Sequence, residues 1–156
     1  MIVVNSNKEL KELIHRRIEE QGPNCDLNDI DVSRVKDMYE MFAESDFNGD
    51  ISQWDVSSVE DMNSMFRKSK FDGDISNWDV SNVKNMYFMF SDSSFNGDIS
   101  KWNVSNVKDM SFMFVDSNFN NDISKWNLSK VKDMHFMFYD SPLEGKEPKW
   151  YRRWWM

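Results

Sequence analysis

The stretch FNGDISQWDVSSVEDMNSMF occupies residues 47–66 and returns three times at a constant interval, without a slip. The copies are FDGDISNWDVSNVKNMYFMF from Phe71, FNGDISKWNVSNVKDMSFMF from Phe95 and FNNDISKWNLSKVKDMHFMF from Phe119. A fixed period in this range marks a repeat architecture, because one such unit cannot bury its apolar side alone and must stack on its neighbours. A worn copy precedes these four: Leu27, Ile30 and Val32 fall one full period before Ile51, Trp54 and Val56. A partial copy follows them, with Leu143 placed one period after Phe119 and Trp150 one period after Trp126. This divides the chain into an N-terminal helical cap (1–22), five repeats (23–142, the first atypical) and a partial sixth repeat with a C-terminal cap (143–156).

Inside a unit the apolar spacing changes. Trp54 and Val56 alternate across Asp55, which is strand spacing. Val59, Met62, Met65 and Phe66 follow at 3, 3 and 1, which is one face of a helix. Ser57 stands at the change, as do Ser33, Ser81, Ser105 and Ser129, and serine is a preferred helix N-cap. Ser57 and Glu60 have the spacing of a capping box. The expected unit is therefore strand, serine cap, two-turn helix and return loop. In the loop, Gly49, Gly73, Gly97 and Gly145 share one slot, which Asn121 fills in the fifth unit. Asparagine is enriched at positive φ, so the slot is expected to be left-handed.

Ahead of the repeats, Met1–Val4 reads as an edge strand and Asn5–Glu20 as a helix capped by Ser6 or Asn7 and ended at Gly22-Pro23. Its stripe of Leu10, Leu13, Ile14 and Ile18 suits a cover over the first unit.

Twelve Phe, 12 Met and 7 Trp are enough to fill a continuous core. The net charge of −8 argues against direct nucleic-acid binding, which needs a basic face. A single cysteine, Cys25, excludes an internal disulfide framework and a cysteine zinc site. The first residues do not form the apolar heart of a signal peptide, and no run approaches a membrane span. The chain as written is expected to be cytoplasmic, with a bacterial cell-surface place if an export signal has been removed. Charge is uneven: residues 1–46 carry 11 acids against 6 bases, whereas residues 143–156 carry 2 acids against 4 bases. One end is therefore acidic and the other mildly basic.

The pattern Ile-x-x-Trp-x-Val has the spacing of a leucine-rich-repeat core. The fuller unit, DIS-x-W-[DN]-V-S-x-V-x-[DN]-M-x-x-MF, resembles the BspA-like leucine-rich repeat family, also known as the lipoprotein-associated repeat of mycoplasmas. The resemblance covers residues from about 23 to 150. It implies an α/β repeat solenoid, leucine-rich-repeat-like, with a parallel concave sheet, short convex helices and the N-terminal helical cap. It also implies binding of other proteins and no catalytic residues.

Other constellations read as structural. The Met-x-x-Met-Phe ladder sits at helical spacing, where methionine fills gaps in a core. The tryptophans at 54, 78, 102, 126 and 150 occupy an apolar slot, with indole N–H groups expected on backbone. Asp46-Phe-Asn48-Gly-Asp50 resembles the start of a calcium loop, but Ser57 stands where an EF-hand needs glutamate. His15 and His135 have no nucleophile placed beside them by any motif. No cofactor, metal or catalytic set is expected.

The expected role is non-enzymatic binding of a partner protein by a monomer. A second reading is a soluble acidic inhibitor or decoy from a mobile element, acting on a nucleic-acid-handling protein. A third is a calcium-dependent or glycan-binding adhesion module. The expected interface comprises the columns beside the buried Trp and Val: Asp29, Gln53, Asn77, Lys101, Lys125, Lys149, and Asp31, Asp55, Asp79, Asn103, Asn127, Tyr151. From these, Asp31, Asp55, Asp79, Lys101, Lys125, Lys149 and Tyr151, with Trp154 of the tail, are the candidate binding residues.

Overall fold

Ser6 starts the first element because its hydroxyl accepts from the Glu9 amide at 3.2 Å and leaves a full helix behind it. In the computed structural model, which describes residues 1–152, this is α1 (Asn7–Gln21). Leu10, Leu13 and Ile14 are its buried residues, and Gly22 ends it at φ 90°. Before it lies β1 (Ile2–Val3), paired in parallel with β2 (Ile30–Asp31) so that Ile2 faces Ile30. Arg17 of α1 reaches Asp29 through two bonds of 3.0 and 2.6 Å. Asn7 donates its side-chain amide to the carbonyls of Asp37 and Tyr39 at 3.2 and 3.0 Å.

The expected α/β leucine-rich-repeat-like solenoid is not what these residues form. Among the described residues α1 is the one helix and β1–β2 the one sheet; neither a parallel concave sheet nor short convex helices are present. The Met-x-x-Met-Phe segment shows why. The amides of Met38, Glu40, Phe42 and Glu44 donate to the carbonyls of Asp61, Asn63, Met65 and Arg67 in the next unit, at 2.8–3.0 Å. A helix would need those amides for its own carbonyls four residues back. The intervening amides of Met41, Ala43 and Ser45 close turns onto Met38, Glu40 and Phe42. The path is a run of turns, left-handed at Glu40 (φ 53°) and Glu44 (φ 57°). The same bonds recur from unit to unit, ending with Met110 to Asp133, Phe112 to His135, Phe114 to Met137 and Asp116 to Tyr139.

The opposite side of each unit is not a strand either, beyond Ile30–Asp31 in the first. Ile51, Trp54 and their equivalents close a turn, Trp54 N to Ile51 O at 3.2 Å. Units are joined there by the indoles instead. Trp54 Nε1 donates to Leu27 O at 2.9 Å, and Trp78, Trp102, Trp126 and Trp150 repeat this to Ile51, Ile75, Ile99 and Ile123.

Side-chain oxygens make the corners. Each unit carries Asx or Ser turns in which a side chain accepts from the amide two residues on. In the second unit these are Asp50 to Ser52, Asp55 to Ser57 and Asp61 to Asn63; Ser69 to Phe71 leads into the third. Ser57 thus serves a turn rather than a helix cap, and Glu60 pairs with Lys84 of the next unit at 3.0 Å rather than with Ser57.

The core between the two sides is a set of aromatic stacks. Phe42, Phe66, Phe90, Phe114 and Phe138 lie 5.6–5.8 Å apart, centroid to centroid. Phe47, Phe71, Phe95 and Phe119 run beside them at 6.0–6.3 Å. The methionines from Met38 to Met137 are buried among these rings. Gly49, Gly73 and Gly97 are not left-handed; of that slot only Gly145 is (φ 86°). In these three units glycine suits a close approach. A Cβ on Gly73 would lie 2.7 Å from the Phe71 ring, and one on Gly49 would collide with the Cys25 carbonyl oxygen.

Candidate binding surfaces

The column Asp31, Asp55, Asp79, Asn103 and Asn127 has a structural task. Each side-chain oxygen accepts from the amide of the serine two residues on, at 3.0–3.1 Å. Carboxylate and carboxamide do this equally, so the change from Asp to Asn along the column is explained by the turn. At Asp31 and Asp79 the serine hydroxyl and then its amide hold the carboxyl below its usual range.

The neighbouring column behaves differently. Asp29 is taken by Arg17, whose hydrogen bonds hold its carboxyl below the usual range. Gln53, Asn77, Lys101, Lys125 and Lys149 are exposed. The three lysines form no salt bridge with a described residue. They give one face a cationic row toward its C-terminal side. Tyr151 does not project beside them. Its ring stands edge-on to Phe138 at 5.0 Å, half-buried over the end of the core. Trp154 lies outside the described residues. A cavity of about 500 Å³ at this end is lined by Trp126, Val131, Met134 and Trp150 together with Lys132, Lys149 and Arg152.

The Asp46–Asp50 turn is occupied by internal partners. Asp46 faces Lys70 at 3.6 Å, Asn48 accepts from the Asp72 amide, and Asp50 accepts from Ser52. Among the described residues, no three His, Cys, Asp or Glu side chains are grouped to hold a metal. No described helix is long and apolar enough to cross a membrane.

A second surface escapes the sequence reading, which assigns its residues to a convex helix. At the left-handed position of successive units stand Glu40, Ser64, Phe88, Phe112 and Phe136. The three Phe rings lie outside the buried core and stack at 4.8 and 5.5 Å. Tyr87 and Tyr139 meet them edge-on. Four residues on in each unit are Glu44, Lys68, Asp92, Asp116 and Asp140, all exposed. Partial desolvation, then the charges of Asp140 and Asp92, push the Asp116 carboxyl above its usual range. At the other end of the strip the Arg67 guanidinium lies over Phe88, 4.6 Å from the ring centroid. A signal for this surface is in the sequence: Phe recurs at 88, 112 and 136 in addition to the buried Phe of the same units.

A family model described as Mycoplasma protein of unknown function, DUF285, matches residues 9–114 and 91–150. No curated protein and no solved structure matches the chain.

Proposed function

The chain belongs to the family described as Mycoplasma protein of unknown function, DUF285, and from that premise we infer that it is a non-enzymatic protein-interaction module. The observation that carries this reading is the division of labour among its polar side chains. Asp, Asn and Ser at the corners are bonded to their own backbone and hold the units together. Lys101, Lys125 and Lys149 form an exposed row outside that framework. The likeness of the repeat unit to BspA-like repeats, whose members bind proteins, points the same way. Rows of like side chains at unit spacing suit recognition of an extended surface, and the cationic row selects for acidic groups on it.

The test is chemical cross-linking capture with the parent and with Lys101→Glu/Lys125→Glu. Both side chains are exposed, so the fold is expected to survive, as a matching melting temperature would verify. A partner held by the parent and lost from the double variant supports the reading. Identical captures overturn it for this face.

A further inference from the structure

We propose that the cavity at the C-terminal end of the stack binds a small amphipathic anion, a carboxylate or sulfonate carried on an apolar body. This goes beyond the interaction reading, and its test needs no partner protein, so the two fail independently.

The first argument is how the stack ends. In each earlier unit, two apolar side chains that follow the tryptophan position are covered by the unit after it. Val32, Val56, Val80 and Val104 are fully buried, as are Val35, Val59, Val83 and Val107. In the fifth unit these places are taken by Leu128 and Val131, and both are only half-buried. The sixth unit is partial. It supplies Trp150, which stacks on Trp126 at 6.4 Å and donates its indole N–H to Ile123 O at 3.0 Å. One period after Leu128, where an interior unit sets a valine into the core, stands Arg152, and it is exposed. Its amide donates to the Met134 sulfur at 3.4 Å, which holds the backbone against the fifth unit without an apolar side chain to cover it. What is left is the cavity of about 500 Å³, with Trp126, Leu128, Val131, Met134 and Trp150 as its apolar lining. That size is ordinary for a small-molecule site.

The second argument is charge. The chain carries a net charge of −8, yet none of the described residues that line this cavity is acidic. Lys132, Lys149 and Arg152 all line it, and none of them forms a salt bridge with a described residue. Lys84, two units earlier in the column of Lys132, is paired with Glu60 at 3.0 Å. Asp133, the acid beside Lys132, is engaged by the amide and ring of His135. Like charges around one hollow are unfavourable to each other, and an anion among them relieves this. A purely apolar ligand leaves the cations unmet, and an inorganic anion leaves the indole and aliphatic lining in water. A ligand with both parts satisfies both.

The probe is anilinonaphthalene sulfonate, whose fluorescence rises when it leaves water for an apolar site. It is titrated into the whole chain and then displaced with octanoate or with octanol, which has the same alkyl chain without the charge. Lys132→Gln/Arg152→Gln removes two charges from the cavity, and Lys101→Gln/Lys125→Gln removes two from the exposed row outside it. All four side chains are exposed, so melting temperatures matching the parent are expected. Lys149→Gln replaces the first variant should that one melt early. The expected result is one site per chain, weakened on the order of tenfold by Lys132→Gln/Arg152→Gln and unchanged in Lys101→Gln/Lys125→Gln. Octanoate is expected to displace the probe at lower concentration than octanol. Equal weakening in the two double variants would reduce the effect to general attraction by lysines and overturn the site, as would absence of binding by the parent. Displacement by octanol as readily as by octanoate would overturn the anionic class of ligand.

Discussion

At Gly73 the backbone runs so close to the preceding aromatic ring that a methyl group would press on it. A Cβ there would lie 2.7 Å from Phe71 Cε1 and 3.3 Å from the Gly49 carbonyl oxygen, so the buried ring has to shift to admit one. Gly73→Ala is expected to cost on the order of 1–3 kcal/mol, read from the midpoint of denaturant unfolding. Asn121 fills the same slot with a different solution. Its amide nitrogen donates to the Asn96 carbonyl at 2.7 Å and to the Gly97 carbonyl at 3.2 Å. Asn121→Gly is therefore expected to lose about 1 kcal/mol, not to be neutral as a left-handed slot would have it. The glycine period is legible in the sequence; its cause is not, because steric approach by a nearby ring and positive φ both select glycine. The true left-handed positions carry Glu40, Ser64, Lys68 and Phe88, residue types that give no such signal, as well as Asp92, Asp116 and Asp140, whose type does. Lys68→Gly, at φ 56° and exposed, is expected to raise stability by up to about 1 kcal/mol in the same measurement.

Helix α1 and the Met-x-x-Met-Phe segments share the apolar spacing i, i+3, i+4, yet only α1 is helical. The difference lies in where the amides go. The hydroxyl of Ser6 and the break at Gly22 are local and close α1 within its own sequence, so it can be read directly. In the repeats the same spacing also fits a ribbon of turns with a left-handed residue every fourth position, and the choice is made by carbonyls in the next unit. Nothing local reports those. The outer aromatic strip is hidden for the same reason, since a residue assigned to a helix is placed on the wrong curve of backbone. Removing residues 1–22 would strip Leu10, Leu13 and Ile14 from the first unit, at roughly 1.5–3 kcal/mol each, and free the edge now paired with β1. The truncated protein is expected to aggregate; a monomeric, cooperatively melting product by light scattering and calorimetry would contradict this.

For the molecule as a whole, a good part of the acidity of the chain lies at its corners. Serine hydroxyls first, and their amides second, hold the carboxyls of Asp74, Asp98 and Asp122 below their usual range; Asn28 and then Ser52 do so for Asp50. A group depressed in the folded state contributes stability that is fully present above its unfolded value, about 3.9, and is lost as pH falls through the folded value. Asp61, raised by burial, and Asp116 act in the opposite sense and offset part of this. Net stability is expected to fall as the pH drops below about 4, followed by denaturant unfolding across that range. Because Asn85, Asn103 and Asn127 close turns of the same kind at other corners, Asp74→Asn/Asp98→Asn is expected to keep the fold and to flatten the acid limb.

The direction of the bonds between units has a consequence for how the chain is made. In the row from Met38 to Glu44 and in every row equivalent to it, the earlier unit gives the amide and the later unit the carbonyl. The carbonyls that the first row turns the other way include those of Asp37 and Tyr39, which are met by Asn7 of a helix synthesised before them. A nascent chain leaving the ribosome thus always carries, at its growing side, a finished row of donors waiting for acceptors that are next to emerge. Each new repeat brings the carbonyls that this row needs, while its own amides, such as those of Glu60, Lys84 and Lys108, meet carbonyls of the repeat already made, at Lys36, Glu60 and Lys84.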